Sequence, residues 1–204
     1  MLLAAGAEIL NPNKYGESVF YTAASEKGNV EMLRTIIAFA RQRGAAANYI
    51  ANFATKRTGD TPLIAASRIG DVEMVKYLLN PDVGARALGI GEYTHEVASF
   101  GGNLRPSKFP RHLPADNLGR TALSYAAEKD NVSVVMALLQ RKADREALSK
   151  ADFTDSRKTP IDYAPAGSQS RLILEDTVRT GDVVKRVDIG KDEYVPKVGL
   201  HSEL

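Results

Sequence analysis

Apolar residues recur along this chain at the spacing of one helix face, in segments that come in pairs. The clearest pair starts at Thr61-Pro62, where a hydroxyl cap precedes a proline that suits the first position of a helix. Ala65, Ala66 and Ser67 are small, and Gly70 suits the left-handed end of a helix. A second stripe then appears at helical spacing, formed by Val72, Val75, Leu78 and Leu79. The pattern predicts two short helices that each need a neighbour to cover an apolar side.

One sequence motif from this pair occurs three times in the chain. Its copies are Ala24-Ser25-x-x-Gly28-Asn29-Val30, Ala66-Ser67-x-x-Gly70-Asp71-Val72 and Ala126-Ala127-x-x-Asp130-Asn131-Val132. Repetition of a helix pair is the sequence mark of a stacked repeat protein. In the third copy Asp130 replaces the glycine, and we expect it to adopt the left-handed conformation at a cost of about 1 kcal/mol.

Apolar stripes predict the second helices of the other copies. In the first copy this helix is predicted to run to about Gly44. A partial fourth copy repeats the cap-proline opening at Thr159-Pro160 and continues with a less regular stripe. The stripes of the first, third and fourth copies are Val30, Leu33, Ile36, Ile37 and Ala40, then Val132, Val135, Leu138 and Leu139, and finally Leu172, Leu174 and Val178.

The copies are unequally spaced. Gly28 and Gly70 are 42 positions apart, Thr61 and Thr121 are 60 apart, and Thr121 and Thr159 are 38 apart. We interpret the longest interval as an insert at about 80–115, whose glycines and prolines break regular structure apart from a predicted helical turn over 93–100. The sequence thus predicts a repeat domain over 1–180, with a repeat end at 1–11 and repeats at about 12–50, 55–82, 116–150 and 155–179, followed by a tail over 181–204.

Several of these features resemble the ankyrin repeat. The similarity lies in the small residues of the first helices, the helix-ending glycines, the run Gly59-x-Thr61-Pro62-Leu63 and the pairs Leu78-Leu79 and Leu138-Leu139. The opening from Leu2 to Asn11 is similar to the end of a further repeat. The resemblance implies an all-α solenoid of stacked helix-turn-helix units with hairpin loops, interrupted here by one long irregular insert.

The resemblance also implies a function. Ankyrin repeats bind protein partners, so we expect a non-catalytic adaptor or scaffold for protein–protein interaction. The alternative is an accessory structural subunit of a large multiprotein assembly, organellar or not, that is held by its insert and tail. The chain departs from the family where a histidine normally follows Thr-Pro-Leu, because the residues there are Thr22, Ile64, Ser124 and Asp162.

Composition narrows the classes of function. The chain has 204 residues, a formal net charge of +2 and no cysteine, which argues against a disulfide framework, thiolate metal sites and a general affinity for nucleic acid. Its apolar opening carries Glu8 and lacks a basic start and a cleavage pattern, so it predicts neither a signal peptide nor a membrane span. We expect a soluble intracellular protein, cytoplasmic by default, or inside an organelle if a targeting segment has been removed.

Candidate catalytic and metal sites are weak. Gly84 and Gly89 have the spacing of a phosphate loop, but Ile90-Gly91 stands where lysine and a hydroxyl residue would bind phosphate. The histidines lack the spacing and partners of metal ligands; they are His95, His112 and His201. We expect no enzymatic activity, no metal and no cofactor.

Two surfaces are candidates for partner binding. Stacked repeats bind through the hairpin tips and first helices of their concave face, where we predict contacts by Lys14, Tyr15, Arg57, Asp60, Arg68, Ile69, Leu118, Arg120, Glu128 and Lys158. A basic insert with aromatic residues is the second candidate, with predicted contacts by Phe100, Arg105, Lys108, Phe109, Arg111 and His112. The segments 32–59 and 97–115 lack acidic residues, which leaves binding of RNA or anionic lipid as a weaker alternative.

Overall fold

The fold is described from a computed structural model of the chain, in residues 11–42, 52–80, 83, 115–140, 152 and 157–180. Several predictions fall outside the described residues. They are the end of the second helix at about Gly44, most of the insert, the helical turn over 93–100, nearly all of the repeat end at 1–11, and the tail over 181–204.

Within these ranges the structure has eight helices in four consecutive pairs. Their bounds are α1 Val19–Ala24, α2 Val30–Gln42, α3 Pro62–Ile69, α4 Val72–Leu78, α5 Ala122–Glu128, α6 Val132–Leu139, α7 Pro160–Tyr163 and α8 Gln169–Thr180. First helices contact one another in chain order, α1 with α3, α3 with α5 and α5 with α7, and second helices do the same. The described ranges contain no strand, only one bridge between Ala115 and Thr121. The predicted all-α repeat solenoid is confirmed.

Hydroxyl caps start the first helices, as the sequence predicts. The Thr61 hydroxyl accepts a hydrogen bond from the N–H of Ile64, and Pro62 occupies the first position of α3. At α5, Thr121 and Ser124 form a reciprocal capping box, which satisfies two N–H groups that the helix itself leaves unpaired. These starts are fixed by residues within one turn, which is why the sequence alone predicts them.

In the family that the sequence resembles, a histidine normally lies three residues after the cap of the first helix. In this chain another residue occupies that position in each repeat. Asp162 accepts hydrogen bonds from the N–H and the hydroxyl of Thr159, at 2.8 and 2.7 Å. These two bonds hold the pKa of Asp162 below its ordinary value. In α1 the cap is Ser18, so the position belongs to Tyr21, and our expectation of Thr22 there was wrong by one residue.

Each first helix is followed within four residues by left-handed backbone, which forms the helix cap itself only at Gly70. Gly28 and Gly70 have φ values of 86° and 80°, and Asp130 has a φ of 51°, so the left-handed conformation predicted for Asp130 is confirmed. At Gly70 a Cβ atom would lie 2.7 Å from Nδ2 of Asn131 in the next helix pair. Glycine is therefore favoured there by backbone conformation, and a larger residue would also displace the side-chain amide of Asn131.

Carboxylates beside these helix ends connect neighbouring pairs. Oδ2 of Asp71 accepts a hydrogen bond from the N–H of Gly28 at 2.8 Å. Oδ1 of Asp130 accepts one from the N–H of Ser170, also at 2.8 Å. Each bond satisfies a backbone donor of one pair with a side chain of another, and so fixes how the pairs sit on one another.

One apolar core runs through all four pairs. Complete burial of a large apolar side chain contributes about 1.5–3 kcal/mol, so the shared core is the main source of stability. Its largest fully buried side chains are Phe20, Leu33, Ile37, Leu63, Ile64, Met74, Leu78, Leu123, Leu138, Leu139 and Ile173.

The apolar face of α8 differs from the predicted one. Ile173, Leu174 and Thr177 are buried, whereas Val178 is exposed, so the predicted place of Val178 in the stripe was wrong. Successive helical residues point about 100° apart, and a buried Thr177 leaves Val178 on the outer side. The prediction used apolar residues alone and therefore did not include Thr177 in the buried face.

The second and third pairs stack directly, although most of the predicted insert lies between them in sequence. The N–H of Asn117 donates to the carbonyl of Thr58 at 2.8 Å, and its side-chain amide donates to the carbonyl of Arg57 at 2.9 Å. A Cβ atom on Gly59 would lie 2.8 Å from the backbone nitrogen of Asn117. The insert therefore leaves the stack unbroken.

Candidate functional site

Hairpin loops precede the four first helices, and their own side chains close the turns. Oδ1 of Asn13 accepts hydrogen bonds from the N–H groups of Tyr15 and Glu17, and Asp116 accepts two such bonds in the third hairpin. Turns of this kind hold the intervening residues outward. We call eight of the exposed side chains of these loops the hairpin tips; they are Lys14, Tyr15, Lys56, Arg57, Asn117, Leu118, Arg157 and Lys158.

Arginine and tyrosine side chains alternate across the second, third and fourth pairs. The guanidinium of Arg68 lies 4.5 Å from the ring centroid of Tyr125. The guanidinium of Arg120 lies 4.0 Å from that centroid and 4.1 Å from the centroid of Tyr163. Lys158 continues the row with its amine 5.6 Å from the Tyr163 centroid. All are cation–π distances, and we call these five residues the tyrosine–arginine ladder.

Buried aspartates hold the two ladder tyrosines. The hydroxyl of Tyr125 donates to Oδ2 of Asp116 at 2.6 Å, and that of Tyr163 donates to Asp152. Burial and the hydrogen bond to Asp152 raise the pKa of Tyr163 to about 12. Burial and the bond to Asp116 raise the pKa of Tyr125 as well. Both hydroxyls remain protonated donors at neutral pH, so the rings stay fixed beneath the guanidinium groups.

Carboxylates also position the two arginines. Arg68 forms an ion pair with Asp60, and Arg120 forms one with Glu128. The Arg68 side chain is 37% exposed and the Arg120 side chain only 14% exposed, because Arg120 lies between two rings. Arg68 therefore presents an outward edge, while Arg120 mainly joins the third and fourth pairs.

The structure brings most of the predicted concave-face residues to one surface. At the hairpin tips lie Lys14, Tyr15, Arg57, Leu118 and Lys158. Arg68 and Arg120 belong to the ladder, Glu128 pairs with Arg120, and Ile69 is exposed next to Arg68. We call the hairpin tips and the ladder together the hairpin–helix face.

One predicted contact residue, Asp60, is buried beneath this face. Asp60 is 1% exposed, so a direct partner contact by Asp60 is corrected to a positioning role beneath Arg68. The six predicted insert residues lie outside the described residues; they are Phe100, Arg105, Lys108, Phe109, Arg111 and His112.

Sequence reasoning missed the tyrosines of the ladder, although a signal for them exists. Arg120-Thr121 is followed by Tyr125, and Lys158-Thr159 is followed by Tyr163, with the same spacing. A basic residue before the cap thus recurs with a tyrosine five positions later. Because one turn of helix separates the cap from the tyrosine, the pattern places a cation and a ring on the same face.

The face offers charged donors, aromatic rings and exposed apolar groups. In the described ranges, no three histidine, cysteine, aspartate or glutamate residues are grouped as a metal site. None of the helices in the described part of the chain combines the length and the apolar character that crossing a membrane requires. The chemistry of the face is that of hydrogen bonding, ion pairing and stacking.

Family models support the repeat architecture independently. A model described as "Ankyrin repeats (3 copies)" matches residues 1–87, and one described as "Ankyrin repeat" matches residues 118–150. These matches include α1 to α6. The pair formed by α7 and α8 lies beyond them, yet it packs on α5 and α6 in the same way. No curated protein sequence matches the chain.

Proposed function

Because the chain belongs to the ankyrin-repeat family, whose repeats are protein-interaction modules, we propose that it is an adaptor or scaffold that binds a protein on its hairpin–helix face. The observation that carries the proposal is the tyrosine–arginine ladder. It fixes polar and aromatic groups in place before any partner arrives, and a preorganised surface loses less conformational entropy on binding.

Exposed apolar groups at the hairpin tips support the same face. Tyr15 is 50% exposed and Leu118 is 54% exposed, and both belong to turns closed by hydrogen bonds. A partner would gain apolar burial at these two side chains while its polar groups pair with Arg57 and Arg68. Tyrosine and arginine are enriched among the residues that dominate binding energy at protein interfaces.

We further propose that the chain is non-catalytic. The acidic groups nearest the face already have structural partners, since Asp60 pairs with Arg68 and Asp116 accepts the hydroxyl of Tyr125. A general acid or base has to exchange protons with a substrate, whereas these groups are engaged inside the fold. The proposed role as an accessory subunit held by insert and tail involves residues outside the described ranges and stays an alternative.

Site-specific photo-crosslinking tests the proposed face. Benzoylphenylalanine is placed at Tyr15 or Leu118, and at Met32 or Val178 as matched controls, because these are exposed apolar side chains of the second helices. In extracts of the source organism we expect a shared set of crosslinked proteins from the two hairpin positions and none of that set from the controls. Equal capture from all four positions, or none from the hairpin positions, contradicts the proposal.

A further inference from the structure

The charges of the hairpin tips point to a particular class of partner. Resting on the function proposed above, we infer that the partner presents an extended, acidic protein segment that lies along the row of hairpin tips. Its carboxylates pair with the basic tips, and one or two of its apolar side chains contact Tyr15 and Leu118.

Exposed charge at the tips is of one sign. In the described parts of the four hairpin loops, every charged residue that is exposed is basic, namely Lys14, Lys56, Arg57, Arg157 and Lys158. Three hairpin aspartates are buried, and these are Asp60, Asp116 and Asp152. Glu17 is half-buried and accepts a hydrogen bond from the side chain of Asn13. The buried acids position the ladder, while the exposed charges in the described part of the outer rim are positive.

The hairpins of the first three pairs contact one another in a row. Gly16 packs against Lys56, since a Cβ atom at Gly16 would lie 2.7 Å from the Lys56 nitrogen, and Asn117 hydrogen-bonds to the backbone of the second hairpin. Packed helices lie about 8–10 Å apart, so four tips span about 24–30 Å. An extended chain covers this with about eight or nine residues. It also presents a side chain to the same side about every 7 Å, close to the spacing of the tips.

The two longest segments outside the described residues are not strongly acidic. Residues 84–114 carry Arg86, Arg105, Lys108 and Arg111 against Glu92 and Glu96, a net charge of 4 − 2 = +2. Residues 181–204 carry four basic residues and five acidic ones, a net charge of 4 − 5 = −1. Neither segment of this chain is acidic enough to complement five exposed cations.

A carboxylate-bearing protein fits the face better than nucleic acid does. Phosphate binding rests on many cations that follow a backbone, whereas here Tyr15 and Leu118 lie among the cations and offer apolar area to a side chain. Within the fold, Arg68 already pairs with a carboxylate while stacked on Tyr125. An acidic segment that also carries apolar residues can pair with the basic tips and pack against Tyr15 and Leu118.

A peptide comparison tests the inference with the full chain. The probes are fluorescein-labelled nonapeptides in which glutamate alternates with leucine and glycine, together with counterparts that have glutamine in place of every glutamate. We expect at least tenfold tighter binding of the glutamate peptides, measured by anisotropy, and weaker binding as salt rises from 50 to 200 mM. No binding by any glutamate peptide, or equal binding of the glutamine counterparts, overturns the inference. So does tighter binding of a single-stranded RNA of nine nucleotides.

Charge reversal locates the site. The variant K14E/K56E/R57E should lose at least tenfold in affinity for the glutamate peptides. The matched control K27E/K76E/K129E makes the same change of charge at exposed lysines away from the tips and should stay within threefold of the parent. Equal losses in the two variants overturn the inference. If crosslinks from Tyr15 and Leu118 persist while the peptides show no charge dependence, only the partner class is wrong; if the crosslinks also fail, the proposed function is wrong.

Discussion

Asp130 combines two roles that are separate in the other repeats. It adopts the left-handed backbone that glycine provides at Gly28 and Gly70, and its carboxylate accepts a hydrogen bond from the N–H of Ser170 in the last helix pair. The backbone conformation costs about 1 kcal/mol for a residue with a side chain. A hydrogen bond to a charged group contributes about 1.5–3 kcal/mol, so the second role offsets the first.

Substitutions at Asp130 separate the two contributions. Asp130→Gly loses the hydrogen bond but relieves the backbone, so we expect it to destabilise the fold by about 1 kcal/mol less than Asp130→Ala does. Asp130→Ala loses the bond and keeps a strained backbone, and should destabilise by about 2 kcal/mol. Urea denaturation followed by circular dichroism measures both. Equal destabilisation by the two variants would show that backbone conformation is unimportant at this position.

Individual positions show where sequence reasoning reaches its limit. Thr61 and Pro62 were predicted correctly because a cap depends only on residues within one turn. Asp60 was expected at the surface because it lies in a hairpin of the predicted concave face. It is instead buried beneath that face in an ion pair with Arg68, which lies eight positions away. The burial of a charge depends on such a partner, which a single sequence does not mark.

At the scale of elements, hairpins and first helices together form the face. Each hairpin is closed locally, as by Asn13 and Asp116, and local closure follows from turn chemistry that can be recognised in sequence. The ladder is different, because Arg68 and Tyr125 come from different pairs. Sequence could predict the hairpins and helices, whereas stacking across pairs depends on the register of one pair on the next.

A comparison of two glycines separates the contribution of hairpin packing to stability from the cost of backbone strain. Gly59 and Gly28 both have positive φ, but a Cβ atom at Gly59 would clash with Asn117, whereas Gly28 has open space within 4 Å. Gly28→Ala should cost about 1 kcal/mol. Gly59→Ala should cost a further 1–3 kcal/mol, roughly, because the clash involves backbone of the next pair. Thermal and urea unfolding provide the comparison, and equal costs would mean that the hairpins do not pack as described.

At the scale of the whole molecule, unequal spacing in sequence coexists with regular stacking. The contacts of α1 with α3, α3 with α5 and α5 with α7 follow one another without a break, although the copies are 38 to 60 positions apart. The repeat architecture was predictable because each repeat is marked by a short sequence motif. The continuity of the stack across the insert was not, since it depends on Asn117 meeting the second hairpin.

Replacing the insert tests this continuity. A chain in which ten glycine and serine residues replace 84–114 should retain its helical content and its cooperative unfolding. Shortening the connection from about 30 to about 10 residues lowers the entropic cost of closing it by about 1 kcal/mol, so we expect equal or slightly greater stability. Circular dichroism and urea denaturation measure both quantities. A loss of cooperativity would show that the stack depends on the insert.

The hydrogen bonds from Asn117 to the second hairpin also bear on the order of folding. They join residues 60 positions apart, whereas the bonds from the N–H of Gly28 to Asp71 and from the N–H of Ser170 to Asp130 join residues 43 and 40 apart. Contacts between more distant residues form more slowly. We therefore expect the first two pairs and the last two pairs to assemble as separate nuclei, with their docking at the second hairpin as the rate-limiting step.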